Sequence, residues 1–116
     1  MRVLVAEDDE GIREGLADLL EERASVVAVA TVQEALSELG AGTFDLVLSD
    51  MRLGGEHSGG RTILERARAG GSNVVVMTGL SERDVRRTLG EFVPDALLAK
   101  PFSVDAALAL VDRFCP

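Results

Sequence analysis

Residues 2–16 read RVLVAEDDEGIREGL, and the order of residue types in that stretch describes a strand, a polar edge and a helix. Val3–Ala6 is a short apolar run with no helical period, the signature of a strand buried on both faces. From Ile12 onward the spacing becomes helical. Ile12, Leu16, Leu19 and Leu20 share one face, with Arg13, Glu14, Asp18 and Glu21 outside. Between the two lie Glu7, Asp8, Asp9 and Glu10, four like charges in succession, which repel one another unless positive charge sits among them. Asp9 and Glu10 are accounted for as a helix N-cap and a first-turn acid, favoured by the exposed amides and the helix dipole. Capping does not require Glu7 and Asp8.

The same alternation continues along the chain. Val26–Ala30, Leu46–Ser49, Val74–Met77 and Ala96–Ala99 are further strand-sized apolar runs, separated by segments of helical spacing. The second helix opens on a capping box, Thr31 with Glu34, and is expected to stop at Gly40. The third is expected from about Thr62 to Ala69, ending at Gly70–Gly71. The fourth begins at Ser81, and the fifth at Ser103 after Pro101, with Val104, Leu108 and Val111 inward. Five β-α units imply one α/β domain over residues 1–116, a parallel sheet covered by helices on both faces.

Composition narrows the function. The chain has 116 residues and a net charge of −8, which argues against nucleic acid or anionic lipid as a partner. Its longest apolar runs are too short to cross a bilayer, and the first residues carry no apolar segment of the secretory type. With Cys115 as the only cysteine, no internal disulfide forms and a cytoplasmic location is the expectation. The single histidine, His57, excludes a site built from several imidazoles; in its glycine-rich segment it reads as solvent-exposed. Among the basic residues are eleven arginines and one lysine, Lys100.

In an open parallel sheet the ligand site lies beyond the carboxyl ends of the strands. Glu7 and Asp8 follow the first strand and Asp50 the third, while the fourth ends in Thr78 and the fifth in Lys100. Each has an ordinary reading as a turn residue, strand filler or solvated charge. Together they place three carboxylates, a hydroxyl and an ammonium at one end of one sheet. A compact ammonium fits a crowded carboxylate pocket better than the planar arginine fork. Oxygen ligands of this type suit Mg2+, with Asp8 and Asp50 as natural ligands and Glu7 able to hold a metal-bound water. In such a pocket the Asp50 carboxylate can attack phosphorus as a nucleophile and form an acyl phosphate. The transfer then needs positioning and charge neutralisation, from Mg2+, Lys100 and Thr78.

The acidic pair after the first strand, LVLSD ending the third, MTG after the fourth and KPF after the fifth resemble the receiver domain of two-component response regulators, over the whole chain. The resemblance implies a flavodoxin-like, doubly wound five-stranded parallel sheet in the order 2-1-3-4-5 with five helices. It implies that Asp50 is the phosphoacceptor, receiving its phosphoryl group from a phosphohistidine on a sensor histidine kinase or phosphotransfer protein. It further implies that Glu7, Asp8, Asp50 and the Arg52 backbone carbonyl hold Mg2+. Thr78 and Lys100 would engage the phosphoryl group, and the Lys100–Pro101 peptide would be cis.

The chain departs from the family pattern in three places. Leu97 stands where an aromatic residue often acts as a rotamer switch, so signal is expected to pass through Gly79–Leu80 and the fourth helix. The segment MRLGGEHSGG (residues 51–60) is longer than usual and has Gly54 in place of a proline. Arg52 and Leu80 occupy positions that in the family tune the lifetime of the phosphoryl group. No effector domain is evident within the sequence, so output is expected through a downstream protein partner or a homodimer. The expected surface is the fourth helix, fifth strand and fifth helix, where Arg83, Arg86 and Arg87 suit an acidic partner. Two other classes share parts of the pattern. One is a receiver-like binding module that is never phosphorylated. The other is a phosphatase of the haloacid dehalogenase type, which carries a D-x-D motif after its first strand where this chain has EDDE.

Overall fold

The computed structural model describes residues 1–53 and 59–114. Gly54, His57 and Cys115 lie outside the described residues, and with them the expectations placed on the 54–58 segment. Five strands, β1 (Arg2–Ala6), β2 (Ser25–Val29), β3 (Leu46–Asp50), β4 (Asn73–Thr78) and β5 (Ala96–Ala99), alternate with five helices. These are α1 (Glu10–Leu20), α2 (Val32–Ala41), α3 (Gly59–Ala69), α4 (Glu82–Leu89) and α5 (Val104–Phe114). The strands pair in parallel in the order β2-β1-β3-β4-β5, as the resemblance implies.

Strand periodicity divides the core in two. Leu4, Ala6, Val47, Val74 and Val76 face Ala35 of α2, Ile63 and Leu64 of α3, and Val85 and Leu89 of α4. The intervening residues, Val3, Val5, Leu46, Leu48, Val75 and Met77, face Leu16 and Leu20 of α1 and Ala107 and Val111 of α5. Burial on both faces is why β1, β3 and β4 are apolar without alternation. It does not extend to the edges: β2 and β5 leave residues exposed, because each has a neighbour on one side only.

Several boundaries differ from the sequence reading. Asp50 is the last residue of β3 rather than the residue after it, whereas Thr78 ends β4 as expected. The second helix passes Gly40 and ends at Ala41, with Gly42 as its cap, since a glycine inside a helix weakens it without ending it. The third helix begins at Gly59, not at Thr62. Its first turn lies against the end of β3, and a Cβ on Gly59 would stand 2.6 Å from the Leu53 carbonyl oxygen. Glycine is there for close approach, and its low helix propensity hides the turn from sequence. On α5 the buried residues are Ala107 and Val111; Leu108 is half-buried, while Val104, the first residue of the helix, is 57% exposed.

The remaining ends follow the local rules. Asp9, Thr31 and Ser81 each accept the backbone N–H three residues on, and the Thr31 hydroxyl also donates to Glu34. Gly71 and Gly90 have φ of 91° and 62°, a left-handed conformation that glycine adopts without cost after a helix. The Lys100–Pro101 bond is cis, as expected.

Candidate functional site

Parallel strands bring all their carboxyl ends to one edge, and the strand order reverses where β1 lies between β2 and β3. Glu7 leaves β1 with its N–H bonded to the Val29 carbonyl of β2, at 3.0 Å. That bond keeps the residue in the line of the sheet, and its side chain is completely buried. Asp8 is exposed beside it, and Asp50 is half-buried at the end of β3. Carboxylate oxygens of Glu7, Asp8 and Asp50 lie within 4.8 Å of one another.

Lys100 supplies the positive charge that the acidic run requires. Its backbone N–H donates to the Thr78 carbonyl at 2.8 Å, which extends the β4–β5 pairing past the end of β5. Its ammonium then reaches across the edge, donating to Glu7 Oε1 and standing 3.7 Å from Asp50 Oδ2. Burial pushes the Glu7 carboxyl up to about 7. The Lys100 hydrogen bond and charge oppose that rise, and the Asp50 charge adds to it. One ammonium among three carboxylates leaves the pocket short of positive charge.

Thr78 is buried on β4, and its Oγ1 accepts the Leu80 N–H at 3.0 Å. Arg52 is exposed two residues after Asp50, and its N–H makes a long hydrogen bond of 3.4 Å to Asp50 Oδ1. The five side chains singled out at the strand ends thus share one edge. Leu97 sits apart from them, half-buried on β5 against α4 and the β3–β4 core. Two contributors escape a reading of the sequence alone. Helical spacing puts Arg13 on the outer face of α1, but its guanidinium bonds back to the Glu7 and Asp8 carbonyls. Gly60 packs against the backbone of Asp50 and Met51. An arginine one turn beyond an acidic pair, and a glycine pair opening a helix, are the signals the sequence offers for them.

The donor set is all oxygen and carries three potential negative charges, which fits a hard divalent cation and not a soft one. The chain matches the response regulator receiver domain over residues 3–112. The chain belongs to this family. Receiver domains are signalling modules of two-component systems and bind Mg2+ at an acidic pocket, and Glu7, Asp8 and Asp50 form such a pocket here.

The receiver is 31% identical to the transcriptional regulatory protein CiaR of Streptococcus pneumoniae over 107 residues, 90% of this chain and 47% of that protein. It is 30% identical to DltR of Streptococcus agalactiae over 114 residues, 96% of this chain and 50% of that one. It therefore spans about half the length of the curated relatives it matches. Solved structures agree in fold. A two-component response regulator from Clostridium difficile superposes with a TM-score of 0.84 at 22% identity, over 98% of this chain and 94% of that one. A CheY-like receiver from Methylobacillus flagellatus gives 0.82 at 23%, over 98% of both chains. Among the described residues no helix is long and apolar enough to cross a membrane.

Proposed function

We propose that this receiver is a phosphorelay acceptor that takes a phosphoryl group onto Asp50 from a phosphohistidine of a sensor kinase or phosphotransfer protein. The convergence of Glu7, Asp8 and Asp50 with the Lys100 ammonium at the sheet edge carries this reading. An Asp50 oxygen attacks phosphorus; the O–P bond forms as the N–P bond breaks, and the imidazole keeps the electron pair and takes up a proton. Lys100 is placed to follow the charge from the carboxylate to the phosphoryl oxygens. The Thr78 hydroxyl can donate to one of those oxygens. Glu7, Asp8, Asp50 and the Arg52 carbonyl would hold Mg2+, which when bound neutralises the phosphoryl oxygens. Water attacking the acyl phosphate returns the Asp50 carboxylate and releases inorganic phosphate. The nucleophile stands at the end of β3, whereas a haloacid dehalogenase phosphatase carries its nucleophile after the first strand.

Switching in this reading runs through backbone. Thr78 Oγ1 already accepts the Leu80 N–H, so a turn of the hydroxyl toward a phosphoryl group displaces Gly79–Leu80 and with it the Ser81-capped start of α4. Leu97 provides no aromatic rotamer for the task. The surface that would report the change is a groove of about 530 Å³ between α4, β5 and α5, lined by Val85, Leu89, Phe92, Leu97 and Leu110. Arg86 lines this groove, and Arg83 and Arg87 are exposed on the same helix, suiting an acidic protein partner or a second copy of the chain in the cytoplasm.

Intact-protein mass after incubation with Mg2+ and acetyl phosphate tests the reading. A single phosphoryl adduct is expected on the native chain, absent from Asp50→Asn and absent without Mg2+. No adduct, together with no binding of beryllofluoride and Mg2+ by NMR, would turn the reading to a binding module that is not phosphorylated.

A further inference from the structure

Arg13 lies one turn into α1, yet its guanidinium points back over the start of the helix. Its Nη1 donates to the Glu7 carbonyl at 3.1 Å and to the Asp8 carbonyl at 3.4 Å. The side chain is half-buried, and among the described residues it forms no ion pair with a carboxylate. In a chain of net charge −8, this half-buried arginine spends its donors on two consecutive backbone oxygens instead of on one of the many carboxylates. Those oxygens belong to the two residues whose carboxylates converge with Asp50.

The backbone sets the direction in which a side chain leaves it, so holding two successive peptide groups holds the Glu7 and Asp8 side chains as well. Glu7 is also held by its N–H bond to the Val29 carbonyl and by Lys100. Beyond Glu7 the β1–α1 turn is tied by the first helical bond from the Arg13 N–H to the Asp9 carbonyl, by the Asp9 cap to Ile12 at 2.9 Å and by a long bond of 3.4 Å from the Asp9 N–H to Glu7 Oε2. Among the described residues none of these bonds takes an Asp8 backbone group. We infer that Arg13 is a positioning residue, which locks this turn so that the Glu7 and Asp8 carboxylates keep the spacing that accepts one divalent cation. The inference rests on the reading of the acidic group as an Mg2+ site.

Charge and geometry act on a bound cation with opposite signs here. The Arg13 charge repels a dication, so by electrostatics alone its removal tightens binding. The clamp orders the ligands in advance, so its removal weakens binding, as loss of a group that orients metal ligands generally does by about 10–100-fold. The sign of the change therefore separates the two.

The experiment is NMR titration of the 15N-labelled chain with Mg2+, for native protein, Arg13→Ala, Arg13→Gln, Arg13→Lys and Asp8→Asn. Thermal unfolding in EDTA is followed in parallel by circular dichroism. Arg13→Ala is expected to bind Mg2+ about tenfold or more weakly, with the Asp8 and Asp9 amide signals broadened before metal is added. Arg13→Lys, which keeps the charge and a donor, recovers part of the loss. Arg13→Gln gives the same comparison should the alanine variant fail to fold, and weaker binding is again expected. Binding as tight as native, or tighter, in Arg13→Ala or Arg13→Gln overturns the inference while leaving the metal site in place. A native chain whose signals do not respond to Mg2+ overturns the metal-site reading and the inference with it, whereas loss of binding in Asp8→Asn alone upholds the site.

Discussion

Gly60→Ala should destabilise the receiver, although alanine is the better helix former. Gly60 lies in the first turn of α3, and its N–H donates to the Met51 carbonyl at 3.3 Å. A Cβ built there stands 2.4 Å from the Asp50 carbonyl oxygen, 2.7 Å from Met51 Cα and 2.8 Å from the Met51 oxygen. Each distance is roughly 1 Å short of ordinary van der Waals contact. All three atoms are backbone, so no rotamer change relieves the clash; either α3 moves outward or the end of β3 shifts. Overpacking of this kind costs about 1–3 kcal/mol. Three simultaneous backbone overlaps place Gly60→Ala near the top of that range, and the helix-propensity gain of about 1 kcal/mol offsets part of it. The net loss is about 2 kcal/mol, a fall in Tm of about 8 °C for a domain of this size.

Gly40→Ala is the control. Gly40 lies inside α2 and is exposed, and a Cβ there would meet no other atom within 4 Å. The same chemical change at that position should stabilise by about 0.5–1 kcal/mol. Urea and thermal unfolding by far-ultraviolet circular dichroism measure both, since the chain has neither tryptophan nor tyrosine for fluorescence. Equal or greater stability in Gly60→Ala, or a loss in Gly40→Ala, would refute the reasoning. Because the displaced atoms include the Asp50 carbonyl, Gly60→Ala should also slow formation of the phosphoryl adduct.

Two further outcomes follow from the site and its supports. The folded state keeps the Glu7 proton up to about 7, whereas the unfolded chain releases it near 4.5. The folded state therefore binds more protons in that window, and stability in EDTA should fall as pH rises from about 4.5 through 7. Glu7→Gln should flatten that slope, and a native urea midpoint that rises with pH relative to Glu7→Gln would contradict it. Asp95 Oδ2 accepts the N–H of buried Val74 at 2.7 Å and a bond from Arg68 Nη2 at 3.3 Å. Asp95→Ala should thus cost about 1–3 kcal/mol, and an unchanged unfolding midpoint would refute the role.

Much of this receiver is present in local sequence. Strand periodicity and cap residues act over a few positions, so Asp9, Thr31, Ser81 and the apolar runs could be read directly. Parallel pairing then forces all carboxyl ends to one edge, which is why the sequence alone gathers Glu7, Asp8, Asp50, Thr78 and Lys100. What the sequence could not decide depends on distances between segments far apart in the chain. The start of α3 at Gly59 follows from its approach to Leu53, and helical spacing alone did not foresee that Val104 stays exposed while Ala107 is buried. Lys100 reaches Glu7 over 93 residues of chain, and complete burial, not residue type, lifts that carboxyl far above its ordinary range. Arg13 shows the same division: helical spacing assigns its Cα to the outer face of α1, but a long side chain chooses its partners in space. Only the folded turn offered the Glu7 and Asp8 carbonyls.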